Sequence, residues 1–206
     1  MKPDDIEALS FKIIDQEAGE HDFTPEEWNV VRRMIHTSAD FEYMNTVRFH
    51  PDAIQKGIEA IRGGKPIFTD TEMARSGIRK GEPARFGGSV TCLIGDPQVR
   101  EYALQAGVTR AQAAVDQAAK EMTEGIYVIG NAPTALLHLI KLMRRAKARP
   151  ALVIGLPVGF VNAAESKEEL TRTDFPYITN LGRKGGSNVA ASVVNALSIM
   201  ATTDAP

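Results

Sequence analysis

Five short apolar runs recur along the last two thirds of this chain, and helix-forming segments separate most of them. The runs are Ile67-Phe68-Thr69, Val90 to Ile94, Ile126 to Ile129, Leu152 to Ile154 and Tyr177-Ile178-Thr179. Helical patterns fill Gln98 to Gln105, Ala111 to Met122, Pro133 to Lys147, Ala164 to Thr171 and Ser187 to Met200. Short apolar strands that alternate with helices form a largely parallel sheet covered on both faces. The pattern therefore predicts an α/β protein of three layers, α/β/α, with a mainly parallel sheet.

The first third reads as an N-terminal helical segment. Ile6, Leu9, Ile13 and Ile14 repeat at helical spacing. Thr24-Pro25-Glu26-Glu27 is a helix start: Thr24 caps, Pro25 suits the first turn and Glu27 completes a capping box. Trp28, Val31 and Ile35 then share one face, while Arg33 and His36 lie on another. A third helix runs from about Pro51 to Gly63-Gly64, where glycine ends it. Thr109 caps a later helix. No internal repeat or linker divides the chain, so residues 1–206 read as a single domain. Ala201 to Pro206 are expected to fray.

Composition removes several function classes. With 24 Lys+Arg against 26 Asp+Glu the net charge is -2, which gives no general attraction to nucleic acid or to anionic membranes. The most apolar run, Ala151 to Val161, contains glycine and proline and is shorter than the roughly 20 residues of a spanning helix. Cys92 is the only cysteine, so neither a disulfide nor a thiolate cluster can form within the chain, as suits a cytoplasmic protein. The N-terminal Met1-Lys2-Pro3-Asp4-Asp5 lacks an apolar signal core.

In a parallel sheet, ligands bind beyond the carboxyl ends of the strands. The junctions there read 69–73 (TDTEM), 130–135 (GNAPTA), 157–167 (PVGFVNAAESK) and 182–188 (GRKGGSN). In the last, glycines permit close backbone approach, the helix from Ser187 presents its amide end, and Arg183 and Lys184 add charge. An anion site and an ordinary capped loop both fit. There is no Walker A loop and no G-x-G-x-x-G after a strand. His36 closes an amphipathic helix one turn after Arg33. It reads either as an acid–base group beside an anion clamp, or as a surface histidine favoured by the helix dipole. His21, His50 and His138 show no metal-ligand spacing with it, and neither H-E-x-x-H nor G-x-S-x-G occurs.

Taken together, Ser10-Phe11-Lys12-Ile13-Ile14 and residues 33–43, 69–78, 86–88, 130–136, 157–170 and 182–197 closely resemble the precorrin-8X methylmutases of vitamin B12 biosynthesis. The likeness runs in order along nearly the whole chain. It is most specific in the joint presence of GNAPTAL, PVGFVNAAESKEEL and GRKGGSNVAA. Residues 37–41, 69–71 and 182–188 look more like the branch that acts after cobalt insertion.

The resemblance implies a flavodoxin-like fold and a homodimer with the corrinoid near the subunit interface. It implies an isomerase that moves a methyl group from the α-carbon of pyrrole ring C to the adjacent β-carbon, giving a cobyrinate or hydrogenobyrinate product. It implies no organic cofactor and no metal ligands, since cobalt, where present, belongs to the substrate. By matched position His36 is the proton donor and acceptor at a ring nitrogen, and Ser10 and Arg33 bind substrate. Thr69, Arg110, Asn131 and Ser187 sit in matching segments and are further substrate-binding candidates. Two readings compete: a non-catalytic corrinoid carrier of the same pathway, and a phosphate-binding α/β enzyme using the loop at 182–188. The D-x-H-x-x-G pattern of cobalamin-binding domains is absent.

Overall fold

A computed structural model describes residues 3–203. The chain opens with α1 (Pro3–Ala18) and α2 (Pro25–Ser38), then the short α3 (Tyr43–Thr46) and strand β1 (Val47–Phe49). Next come α4 (Ala53–Arg62), β2 (Ile67–Thr69), α5 (Glu72–Gly77), α6 (Gly81–Arg85) and β3 (Val90–Cys92). The remainder is α7 (Pro97–Ala106), α8 (Arg110–Ala118), β4 (Ile126–Ile129), α9 (Pro133–Arg144), β5 (Leu152–Gly155), α10 (Ala163–Thr171), β6 (Tyr177–Asn180) and α11 (Ser187–Thr203).

The six strands form one sheet in the order β1-β6-β5-β4-β2-β3. All neighbours are parallel except β1, which pairs antiparallel with β6 at the edge. The parallel part is doubly wound. From β2 the chain moves to β3 on one side, then crosses to β4, β5 and β6 on the other, so the topological switch point lies between β2 and β4.

The strands are only three or four residues long, and burial on both faces holds them. Every residue of β2, β4, β5 and β6 is buried, and each fully buried large apolar side chain contributes roughly 1.5–3 kcal/mol. Alternation sorts them into two cores. Ile67, Ile126, Val128, Leu152, Ile154 and Ile178 face α1, α2, α4 and α11. Phe68, Tyr127, Ile129, Val153 and Tyr177 face α8, α9 and α10. This is the three-layer arrangement expected from the alternation of runs and helices.

The structure departs from expectation in particular places. β1 was not foreseen: with one central Arg48 its three residues carry too little apolar signal, and pairing with β6 makes it a strand. β3 ends at Cys92 because Leu93 already accepts a turn bond from the Asp96 amide. α9 ends at Arg144, where Ala146 takes a left-handed φ of 53°. α11 continues to Thr203 with Ala201 fully buried, so Ala201 does not fray; residues 204–206 lie outside the described part. On α1 the helical repeat is present but reversed in sense: Ile6, Leu9 and Ile13 are exposed and only Ile14 is buried.

Candidate functional site

The helix that carries His36 is fixed at both ends. At its start Thr24 Oγ1 accepts from the Glu27 amide and Glu27 returns a bond to the Thr24 amide, the reciprocal box read from the sequence. Val30, Val31, Met34 and Ile35 seat it on the core. Ala39 ends it in a left-handed turn. His36, one residue beyond the buried Ile35, is left exposed.

Around it gathers one group of the expected residues. The Phe11 ring of α1 meets the His36 imidazole edge-on, 5.1 Å between centroids. Arg33 lies 5.0 Å from the same ring and pairs with Glu7 at 3.0 Å. Arg32 lies 4.5 Å from it and pairs with Asp15. Ser10 is the neighbour of Phe11 on the same helix, and its hydroxyl donates to the Ile6 carbonyl. Phe11 is thus the ring against which Arg32, Arg33 and His36 gather, a role its plain apolar identity did not reveal. Phe11, Asn29, Arg32 and Arg33 line a cleft of about 280 Å³ against α11.

A second group assembles at the switch point. Asp70, just past β2, is nearly fully buried, and its carboxylate accepts from the amides of Gly130, Asn131 and Ala132 at 2.8–2.9 Å. These amides precede α9. The protein's own carboxylate thus occupies the three backbone amides that lead into α9. Burial pushes the Asp70 carboxyl up, and the three amides pull it back. Gly130 also lets α11 approach, since a Cβ would sit 2.6 Å from Ser187 Cα.

The remaining expected residues hang on this frame. Thr69 is buried and its hydroxyl donates to the Thr71 carbonyl, while Thr71 Oγ1 shares a 2.8 Å hydrogen bond with Ser187 Oγ. Asn131 is exposed beside them. Arg110 is exposed at the first turn of α8, next to the cap residue Thr109, whose hydroxyl lies 3.5 Å from that of Thr134 in the first turn of α9. So Thr69, Asn131 and Ser187 form one cluster with Arg110 at its flank, and Ser10, Arg33 and His36 form another.

One ion pair ties the loop after β6 to the His36 helix. Lys184 Nζ lies 2.5 Å from Asp40, just beyond the end of α2, and 2.8 Å from Glu42. The lysine hydrogen bond holds the Asp40 carboxyl below its usual range, and the two acids raise Lys184. The glycine-rich loop 182–188 thereby spends one of its two cations internally. The other histidines are engaged elsewhere: His21 stacks on Trp28, His50 Nδ1 accepts from the Asp52 amide, and His138 pairs with Asp116 at 2.7 Å. Among the described residues, no three His, Cys, Asp or Glu side chains are grouped to hold a metal ion. Nor is any described helix long and apolar enough to cross a membrane.

Known proteins match this chain along its length. A family model described as precorrin-8X methylmutase covers residues 5–200. A cobalt-precorrin-8 methylmutase of Priestia megaterium is 51% identical over 98% of this chain and 89% of its own. A cobalt-precorrin-8 methylmutase of Salmonella typhimurium is 46% identical over 95% of this chain and 94% of its own. A crystal structure of precorrin-8x methyl mutase from Thermus thermophilus superposes with a TM-score of 0.90 at 44% identity, covering 96% of each chain. The family match over residues 5–200, the relatives at up to 51% identity and the shared fold agree, and the chain belongs to the precorrin-8X methylmutase family.

Proposed function

We propose that this chain catalyses the intramolecular methyl migration on ring C of cobalt-precorrin-8, yielding cobyrinate. The observation that carries the reading is the full-length likeness, at up to 51% identity, to proteins named for that reaction. The chemistry asks little of the protein. The methyl leaves one ring carbon and joins its neighbour, so no atom enters or departs and no nucleophile is required. Conjugation gained in the product drives the shift. The protein must hold a large apolar ring fringed with carboxylates, exclude water and polarise one ring nitrogen.

His36 is the group we assign to the nitrogen, as donor of a hydrogen bond or a proton. Its exposed ring, oriented by Phe11, supports that assignment. Arg33 and Arg110 supply cations for peripheral carboxylates, and Ser10, Thr69, Asn131 and Ser187 supply polar contacts or the frame beneath them. Cobalt enters as part of the substrate, and the protein draws on no cofactor of its own. The family resemblance implies a homodimer in which a second copy helps to enclose the macrocycle. The enzyme works in the cytoplasm.

The test is turnover. Protein at trace concentration is mixed under anaerobic conditions with excess cobalt-loaded or cobalt-free precursor, and the visible spectrum is followed. Catalytic conversion of the cobalt form, faster than the cobalt-free form, is the expected result. A spectral change limited to one equivalent would instead mark a corrinoid carrier.

A further inference from the structure

Two loops at the carboxyl edge of the sheet expose chemistry that the site above leaves unused. The loop 156–162, between β5 and α10, exposes Val158, Phe160 and Val161 at 43%, 83% and 77%. Three large apolar side chains so close together mark a surface that something apolar covers. The loop 181–186, between β6 and α11, exposes Arg183, and its guanidinium stands over the Phe160 ring, 5.4 Å from the centroid. Lys184 beside it is occupied by Asp40 and Glu42, but the described contact of Arg183 is with the ring.

The two loops are welded into one platform. The Gly159 amide donates to the Arg183 carbonyl at 3.1 Å, and the Gly186 amide to the Leu156 carbonyl at 2.9 Å. Gly185 packs so closely that a Cβ there would meet the Leu156 carbonyl oxygen. From below, Lys167 is fully buried, and its Nζ donates to the Lys184 carbonyl at 2.5 Å and to Asn180 Oδ1 at 3.2 Å. Asn180 Nδ2 donates to the same Lys184 carbonyl. The Lys184–Asp40 pair then fixes the platform to the end of the helix that presents His36.

We propose that this platform is a wall of the corrinoid site, with Val158, Phe160 and Val161 covering the apolar macrocycle and Arg183 pairing with one of its peripheral carboxylates. The inference rests on the reading that the substrate is a carboxylate-fringed corrinoid. Such a ring needs an apolar face and a cation at its rim, and Phe160 with Arg183 supplies both within one stack. Arg183 on the aromatic face remains able to engage a carboxylate through its planar edge.

The test uses two ligands, cobyrinic acid and its fully esterified form, titrated into the full chain and followed by corrinoid absorbance. Arg183→Gln is expected to weaken the acid about tenfold and leave the ester unchanged, because only the charge pair is lost. Phe160→Ala is expected to weaken both ligands about tenfold or more. Both positions are exposed, and unchanged thermal melting verifies that the variants are folded. Wild-type affinity in both variants would overturn the proposal. So would variants that sediment as a smaller species than wild type, because the platform would then be covered by a second copy of the chain. Turnover of cobalt-precorrin-8 by wild type, measured alongside, separates the two readings. Normal turnover with unaltered variant binding sinks the platform alone; absence of turnover sinks the proposed reaction.

Discussion

At the level of single residues, His36 is the group to which we assign the proton or hydrogen-bond chemistry. It is exposed at a helix end and braced by Phe11 rather than built into the core, so its removal should spare the fold. His36→Ala is expected to keep corrinoid binding while kcat falls by about 10²–10⁴-fold, the usual span for a positioned acid or base. Steady-state kinetics with a parallel binding titration checks this. Lys167 illustrates the opposite case, a charge placed inside. Burial lowers its ammonium to about 8 from the usual 10.5. The unfolded chain therefore binds more protons at this residue between those two values, and stability rises with pH across that window. Below pH 8 the buried charge is retained at its desolvation cost. Urea denaturation at pH 7.5 and pH 9.5 should show wild type gaining stability and Lys167→Met losing that gain. Tyr43, pushed up to about 12 by burial, titrates outside the interval.

Elements meet at the switch point through backbone rather than side-chain bulk. Asp70 links the end of β2 to the start of α9 by three amide bonds. Asp70→Ala would strand those donors, and a loss of roughly 2–4 kcal/mol is expected. Asp70→Asn, which keeps an acceptor oxygen, should lose less; denaturant midpoints at constant m-value measure both. In the loop before α11, Gly185 combines a φ of 155° with contact against the Leu156 backbone. No rotamer change relieves a backbone clash. Gly185→Ala should therefore destabilise by roughly 2–4 kcal/mol and weaken corrinoid binding, read by the same denaturation and titration. The caps at Thr24 and Thr109 were legible beforehand because a capping box is a local pattern of four residues. Asp70 was not, since its three donors lie sixty or more residues away.

For the whole molecule, the expected assembly is a homodimer, and sedimentation equilibrium across a range of concentrations should give twice the chain mass. A monomer at all concentrations would leave the macrocycle without a second wall. Ile6, Leu9 and Ile13 form an exposed stripe on α1, so apolar surface is available outside the core. The sequence by itself determined the alternation of strands and helices, the caps, the helical N-terminus and the motifs that place the chain in its family. Each of those is written in neighbours a few residues apart, where period and backbone preference act directly. Only the tertiary structure decided that β1 joins the sheet, that Asp70 occupies the amides before α9, that Phe11 organises Arg33 and His36, and that Lys167 lies buried beneath the Arg183 loop. Those depend on which distant segments the sheet order brings into contact, and hydrogen bonds or burial between such segments leave no local periodicity to read.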